Sequence, residues 1–411
     1  MRLLFVADGH SPIACNWIAH FVEAGHEVHL ASTFPAAPDL ALASATRIPL
    51  TFSGLATARG EVDEGSVAEP ARVGAFVRGA RGLRLRVFLR HWLGPLTIPP
   101  AARRLRRLID QVRPDLVHAL RIPLEGMLAA ASRPPAPLLL SVWGNDFTLH
   151  AAASPLMARG TRLALRRAAG LHVDCRRDLR LAGEWGYPAG RPTIVEPGNG
   201  GVRPEIFFAG PWDAAAVSPP LARILRSIPQ GAPVVINPRG FRAYVRQDVF
   251  FQCLPQVMDA CPGTHVICPA MAAERPAERW VRRLGLEAAV HLLPPLSPLD
   301  MAAAFRRALV AVSPSTHDGT PNTLLEAMAC GCTPVAGDLE SIREWLDDGV
   351  NGLLTDPQSP GRLAQSIVQA MANPDLRSRA AEHNRRLIAE RAEYSAVMAR
   401  AEGFYRQLVG G

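Results

Sequence analysis

Lysine is absent from the chain: all 45 basic residues are arginines. That excludes any chemistry needing a lysine amine, a pyridoxal Schiff base first among it. A GC-rich genome accounts for the bias without a functional cause, so arginine content by itself assigns nothing. Long apolar runs are missing too, and none approaches the roughly 18–20 residues needed to cross a bilayer. The opening Met1-Arg2-Leu3-Leu4-Phe5-Val6-Ala7-Asp8 has one arginine and a short apolar run that stops at Asp8. It lacks the long apolar centre and small-residue cleavage site of a secretory leader, and it reads as a first buried strand. The seven cysteines are scattered, and Cys330-Gly331-Cys332 has neither the two-residue gap nor the second pair of a zinc knuckle. Free thiols in a reducing cytoplasm are the expected state.

What is present is a chain of 411 residues, long for one hydrophobic core and comfortable for two. Its net charge of +8 calls for an anionic partner: phosphate ligands, an anionic membrane surface or nucleic acid. No helix-turn-helix, zinc or single-strand recognition pattern supports nucleic acid, which is therefore not expected.

Along the chain, buried-strand runs alternate with helical segments. Leu3 to Ala7 predicts a strand, Asp8-Gly9-His10-Ser11-Pro12 a turn, Asn16 to Ala24 a helix and Glu27 to Ala31 a second strand. That is one βαβ unit. Further strands are predicted at Asp115–His118, Leu138–Val142 and Gly170–Val173. The run Glu196-Pro197-Gly198-Asn199-Gly200-Gly201 is built for turns. A second series follows at Pro233–Asn237, His265–Cys268, Val290–Leu293, Leu309–Val312 and Thr333–Ala336, with helices such as Asn322–Ala329 between. The expectation is α/β architecture with two Rossmann-like doubly wound domains: 1–196, a hinge at 197–204, 205–390, and a closing segment 391–411. A ligand belongs outside the carboxyl ends of the strands, in a cleft between such domains.

The most informative stretch runs from Ser313 through His317-Asp318-Gly319-Thr320-Pro321-Asn322-Thr323-Leu324-Leu325-Glu326 to Gly331. A strand ends, small residues form a loop, and a helix starts near Pro321 or Asn322. Unpaired N–H groups and the positive end of the dipole make such a start a natural phosphate site. Gly319 lets backbone approach a ligand without a side chain intervening. Asp318 precedes the helix and Glu326 lies on its second turn, so two carboxylates address different parts of one ligand; vicinal hydroxyls of sugar and ribose are their natural partners. Singly, a helix cap and a solvated helix residue explain the pair equally well.

The stretch resembles the signature of glycosyltransferase family 4, the group 1 glycosyltransferases. There, an acidic residue is followed after seven positions by glutamate, within Gly-x-Pro-Asn-x-Leu-Leu-Glu-Ala-Met-Ala-Cys-Gly. The likeness continues through Thr333-Pro334-Val335-Ala336 and Glu340 to Leu354. It implies a GT-B fold and a retaining transfer from a nucleotide-diphosphate sugar, UDP- or GDP-linked, with no cofactor. By that resemblance Asp318 touches donor-sugar hydroxyls, Glu326 holds the ribose, and the backbone from Gly319 through Thr320, Pro321, Asn322 and Thr323 faces the diphosphate. The family more often has glutamate at the first acidic position; aspartate is one methylene shorter. The family's diphosphate-neutralising arginine matches Arg239, and its following lysine is replaced by Arg246, with Arg242 as competitor. Asp-x-Asp, the usual sign of metal-held diphosphate, occurs nowhere. Metal-independent catalysis follows as the expectation.

In the first half the resemblance is looser. Gly9 matches a glycine loop facing the donor phosphate, and His118 a strand-end histidine. Trp143 stands where many relatives have histidine, with Gly144, Asn145 and Asp146 as further contacts for acceptor or sugar. Relatives often return their last helix to the first domain. The acceptor is expected to be a glycan, a lipid-linked molecule or a small molecule, in cell-envelope polysaccharide or glycoconjugate synthesis in a bacterial cytoplasm. From Arg72 to Arg113 arginines interleave with leucines and aromatics, and Asp110 is the only acid. That is the profile of a helix lying on an anionic membrane, or of an ordinary amphipathic helix with a solvated basic face. The competing functions are a non-hydrolysing nucleotide-sugar epimerase and a non-catalytic nucleotide-sugar binder or membrane-docked partner.

Overall fold

The computed structural model describes residues 1–34, 38–50, 90–213 and 215–410. It forms two compact units, one of Met1–Asn199 with Arg400–Gly411, the other of Gly200–Ala399. In the first, seven strands make a wholly parallel sheet: β1 (Arg2–Ala7), β2 (Glu27–Ser32), β3 (Ser44–Arg47), β4 (Leu116–Ala119), β5 (Leu138–Val142), β6 (Gly170–Val173) and β7 (Thr193–Val195), in the order β3-β2-β1-β4-β5-β6-β7. The central strands are apolar throughout because helices cover both faces of a parallel sheet; Leu3, Leu4, Phe5 and Val6 are all buried. The winding direction reverses between β1 and β4, so the loops after Ala7 and Ala119 open at a topological switch point.

The first helix, Pro12–Glu23, begins four residues before the expected Asn16. Ser11 caps it by accepting from the Ala14 N–H, and Pro12 occupies a first-turn position where no N–H is required. What reads as turn chemistry in Ser11-Pro12 is a helix start. β3 and β7 carry no apolar run; their residues alternate or stay exposed at the two sheet edges, so periodicity does not mark them.

The second unit repeats the plan with β8 (Val234–Ile236), β9 (His265–Cys268), β10 (Val290–Leu292), β11 (Val310–Ser313), β12 (Thr333–Gly337) and β13 (Leu353–Thr355), ordered β10-β9-β8-β11-β12-β13 and all parallel. Here the reversal falls between β8 and β11. The helix Asn322–Ala329 lies where the sequence places it. The chain closes with helices Pro374–Arg391 and Tyr394–Gly410, and the residues from Arg400 onward belong to the first unit.

Candidate active site

The loop that leaves β8 is held by two buried amides. Asn237 Nδ2 donates to Gln247 Oε1 at 2.7 Å, and Asn237 Oδ1 accepts from the Arg239 N–H at 3.3 Å. Gln247 Nε2 donates to the Arg239 carbonyl at 2.6 Å. With its N–H and C=O both clamped, Arg239 has little freedom except in its side chain. The guanidinium Nη1 donates to Asp318 Oδ2 at 2.7 Å, each side chain only 13% exposed. Burial works against the charge of Arg239, but Asp318 and Tyr244 outweigh it and bind its proton more tightly than usual. The two residues come from adjacent strands, β8 and β11, at the switch point of the second sheet.

The β11 loop is fixed independently. Thr316 donates through its N–H (2.8 Å) and Oγ1 (3.2 Å) to the Tyr244 carbonyl. Ser341 Oγ donates to the Asp318 carbonyl at 2.7 Å, and Trp345 Nε1 donates to Thr320 Oγ1 at 3.0 Å. Gly319 and Thr320 are buried. The helix Asn322–Ala329 starts at Pro321 with no side-chain cap, so its first N–H groups remain available to a ligand. Ser313 and Ser315, just before, have buried hydroxyls without a hydrogen-bond partner among the described residues. Asn322 and Thr323 are half-buried. Glu326 is half-buried as well, and burial alone pushes its carboxyl up to about 7. Its carboxyl makes no hydrogen bond or ion pair among the described residues.

Arg246 sits elsewhere in its interactions. Its Nε and Nη2 both bind Asp248, at 3.0 Å each, and its backbone is left-handed (φ 54°) ahead of the helix Gln247–Ala260. Arg242 is exposed and donates to Tyr244 Oη at 3.3 Å. Their hydrogen bonds run to Asp248 and Tyr244 respectively.

In the first unit Gly9 lies at the end of β1, buried, its N–H donating to Ser32 Oγ at 3.2 Å. His118 is no open contact. It belongs to a buried chain of hydrogen bonds: Trp17 Nε1 to Tyr405 Oη (2.9 Å), Tyr405 Oη to His118 Nδ1, His118 Nε2 to Ser141 Oγ (2.8 Å), Ser141 to His172 Nδ1 (2.8 Å), and His172 Nε2 to the Glu196 carbonyl (2.8 Å). Indole can only donate and a carbonyl only accept, so one proton direction satisfies every member with both imidazoles neutral. Burial drives both rings down, His118 well below its usual value and His172 to about 4.

Asp146 is also fully enclosed. It binds Arg121 Nε at 2.9 Å and the N–H groups of Ile122 and Trp143 at 3.2 Å each; burial raises its carboxyl in spite of the arginine. Asn145 Oδ1 accepts from Arg121 Nη2 at 2.9 Å. Trp143 is half-buried, with Arg121 5.6 Å over its ring and its own Nε1 buried without a partner among the described residues. Arg121 organises this corner and carries no sequence signal beyond its place just after β4. Among the described residues Asp174, Cys175 and Asp178 come close enough to share an ion. They do not suit one: Arg177 donates to Asp178 at 2.7 Å, and burial pushes the Asp174 carboxyl and the Cys175 thiol far toward their protonated forms.

Two family descriptions match the chain: "Glycosyl transferase 4-like domain" over residues 8–198, and "Glycosyl transferases group 1" over residues 227–387. The chain belongs to the group 1 glycosyltransferases. Its two doubly wound units have the GT-B fold. Sucrose-phosphate synthase from Thermosynechococcus elongatus superposes with a TM-score of 0.73 over 100% of both chains at 17% identity. Anabaena HepE in complex with UDP and glucose gives 0.69 over 98% of both at 16% identity. Among curated proteins, the D-inositol 3-phosphate glycosyltransferase of Thermobispora bispora is 28% identical over 232 residues, 54% of this chain and 51% of that protein. That of Frankia alni is 35% identical over 98 residues, 24% of each. The chain thus spans about half or less of these relatives' lengths.

Proposed function

We propose that the chain is a retaining, metal-independent glycosyltransferase that takes a sugar from a nucleotide-diphosphate donor. The observation that carries this is the Arg239–Asp318 pair at the β8–β11 switch point, beside the uncapped start of the helix Asn322–Ala329. Cleaving the bond from the anomeric carbon to phosphate oxygen leaves extra negative charge on the diphosphate. Arg239 and the helix-start N–H groups stabilise it, and Asp318 orients the donor-sugar hydroxyls while holding the guanidinium. The acceptor hydroxyl forms its bond on the face the leaving group vacates, and its proton passes to the departing phosphate oxygen. Glu326 accepts from the ribose. A UDP-sugar is the first donor to try, since HepE is named with UDP and glucose. The alternative roles differ at one point: an epimerase releases an altered nucleotide sugar with no acceptor, and a mere binder turns nothing over.

Metal independence rests on Arg239 supplying the cation. Transfer is expected to persist in excess EDTA; abolition by chelator with rescue by Mn²⁺ contradicts it.

Membrane contact is part of the same reading, placing the enzyme at the cytoplasmic face. Of the stretch from Arg72 to Arg113, residues 72–89 lie outside the described residues. The rest exposes Trp92 (41%) and Leu96 (60%), with Arg103, Arg104 and Arg107 exposed on the helix Ile98–Val112. The helix Pro155–Arg167, packed against the Gly94–Thr97 turn, adds exposed Leu156, Arg159, Arg162 and Leu163. Apolar and arginine side chains together suit an anionic interface. No described helix is long and apolar enough to cross a membrane. Sedimentation with anionic vesicles at low salt is the check, and absence of binding removes this part.

A further inference from the structure

Tyr244 carries no sequence signal of its own, yet the fold sets its hydroxyl among the cations of the loop after β8. It lies in a single 3₁₀ turn, Ala243–Val245, between Arg242 and Arg246. Its backbone is tied to the loop that carries Asp318. The Tyr244 carbonyl accepts from the Thr316 N–H at 2.8 Å and from Thr316 Oγ1 at 3.2 Å. The two loops are therefore joined twice, once by Thr316 to Tyr244 and once by Arg239 to Asp318 at 2.7 Å. Together these fix the half-buried Tyr244 ring relative to the ion pair.

The hydroxyl faces guanidiniums. Arg242 Nη1 donates to Tyr244 Oη at 3.3 Å. Burial opposes the charge of Arg239, and Tyr244 joins Asp318 in offsetting that burial. A guanidinium has five N–H donors and no acceptor, so the phenol oxygen receives from arginine and cannot give its own proton back. No hydrogen bond donated by Tyr244 Oη is found among the described residues. A hydroxyl that accepts from a cation is polarised and donates more strongly. An anion with several acceptor oxygens satisfies such a hydroxyl and the arginines beside it at once.

We propose that Tyr244 donates a hydrogen bond to the diphosphate of the nucleotide sugar, between Arg239 and Arg242, and is the second side chain after Arg239 to meet the leaving group. The assignment deepens the transferase reading and rests on it. Arg246 takes no part in this contact: its Nε and Nη2 are bound to Asp248 at 3.0 Å each. Negative charge grows on the phosphate oxygen as the anomeric C–O bond breaks, and the phenol O–H bond to that oxygen strengthens with it. The proton released by the acceptor hydroxyl goes to the phosphate oxygen, so Tyr244 keeps its own throughout.

Inorganic pyrophosphate is the probe, because it presents the diphosphate without base or sugar. It is titrated by calorimetry into the full chain at constant pH and ionic strength. Tyr244→Phe keeps the ring and removes only the hydroxyl; it is expected to weaken binding roughly tenfold, the loss of one hydrogen bond to a charged group. Arg242→Gln, which leaves the hydroxyl and removes its donor, weakens binding by a smaller factor. Arg239→Gln weakens it at least as much as Tyr244→Phe. Arg385→Gln, exposed on the helix Pro374–Arg391, leaves it unchanged. Circular dichroism and the thermal midpoint confirm that each variant is folded. Equal affinity of parent and Tyr244→Phe, with Arg239→Gln weakened, overturns the assignment and leaves the transferase reading standing. So does weakening by Arg246→Gln in place of Tyr244→Phe. Binding indifferent to Arg239→Gln strikes the transferase reading itself. A parent that binds no pyrophosphate also overturns the assignment, and nucleotide-sugar binding by that parent then decides whether the transferase reading falls with it.

Discussion

Glu326 is a carboxyl whose burial works against its charge. Its carboxyl, near 7 in the folded chain against about 4.5 when unfolded, retains a proton that the unfolded chain has already lost. A raised carboxyl destabilises the fold above its folded value, and this cost fades as pH falls toward the unfolded value. Glu326→Gln is accordingly expected to raise thermal stability at pH 8 by roughly 3 kcal/mol and to do almost nothing near pH 4.5. If, as proposed, ionised Glu326 is the acceptor for the ribose, the same variant weakens donor binding. For the parent, donor affinity rises as pH increases through about 7. Calorimetry at two pH values checks both signs, and a variant that is destabilised at pH 8 contradicts them. Asp318 and Glu326 are legible in the sequence because a strand, a glycine loop and a helix start place them within one short stretch. Their companion is not legible in that way. Arg239 lies 79 positions from Asp318, and only the adjacency of β8 and β11 brings the two together. Arg246 illustrates the opposite limit. Its residue type suits a diphosphate, yet the local carboxylate of Asp248 claims it, a competition that spacing alone does not reveal.

At the scale of elements, the strands that sequence marks are mostly those buried on both faces, with the edge strand β10 also marked by its apolar residues; β3, β7 and β13, short and at or near the edges, are not marked. The helix Asn322–Ala329 is legible because proline and asparagine open it and Cys330-Gly331 closes it, with Gly331 left-handed at φ 89°. The role of the last helix is legible only as a resemblance, and its chemistry appears only in the packed structure. Tyr405 joins Trp17 to His118, placing a C-terminal hydroxyl inside the first sheet's core. Removing that hydroxyl strands two buried ring nitrogens, so Tyr405→Phe is expected to cost about 2–4 kcal/mol, read as a lowered thermal midpoint. The histidines of the same chain predict acid sensitivity. Both are neutral in the fold, and the unfolded chain gains protons below its usual imidazole value near 6.5. Stability of the first unit therefore falls as pH drops from about 6.5 toward 4. Amide exchange in β4, β5 and β6 should accelerate across that window, while β11 and β12 lag behind. Uniform acceleration in both sheets argues against the histidines as the cause.

For the molecule as a whole, the absence of lysine and the net charge of +8 acquire a location. Arginine forms the bidentate and buried contacts in both units, with Asp318, Asp146 and Asp178 among its partners. A delocalised, permanently charged guanidinium suits such sites, where a lysine would be open to deprotonation by burial. Composition points to an anionic partner and the family signature to a nucleotide sugar, and we propose Arg239, paired with Asp318, as the cation that meets its diphosphate. The most direct test of that claim is titration of UDP-, GDP-, ADP- and TDP-sugars into the full chain and into Arg239→Ala, each with excess EDTA. The account predicts selective binding of one donor, unaffected by chelator and weakened at least tenfold in the variant, as expected for loss of one charged contact. Equal affinity of parent and variant for that donor, or binding that vanishes with EDTA, would contradict it.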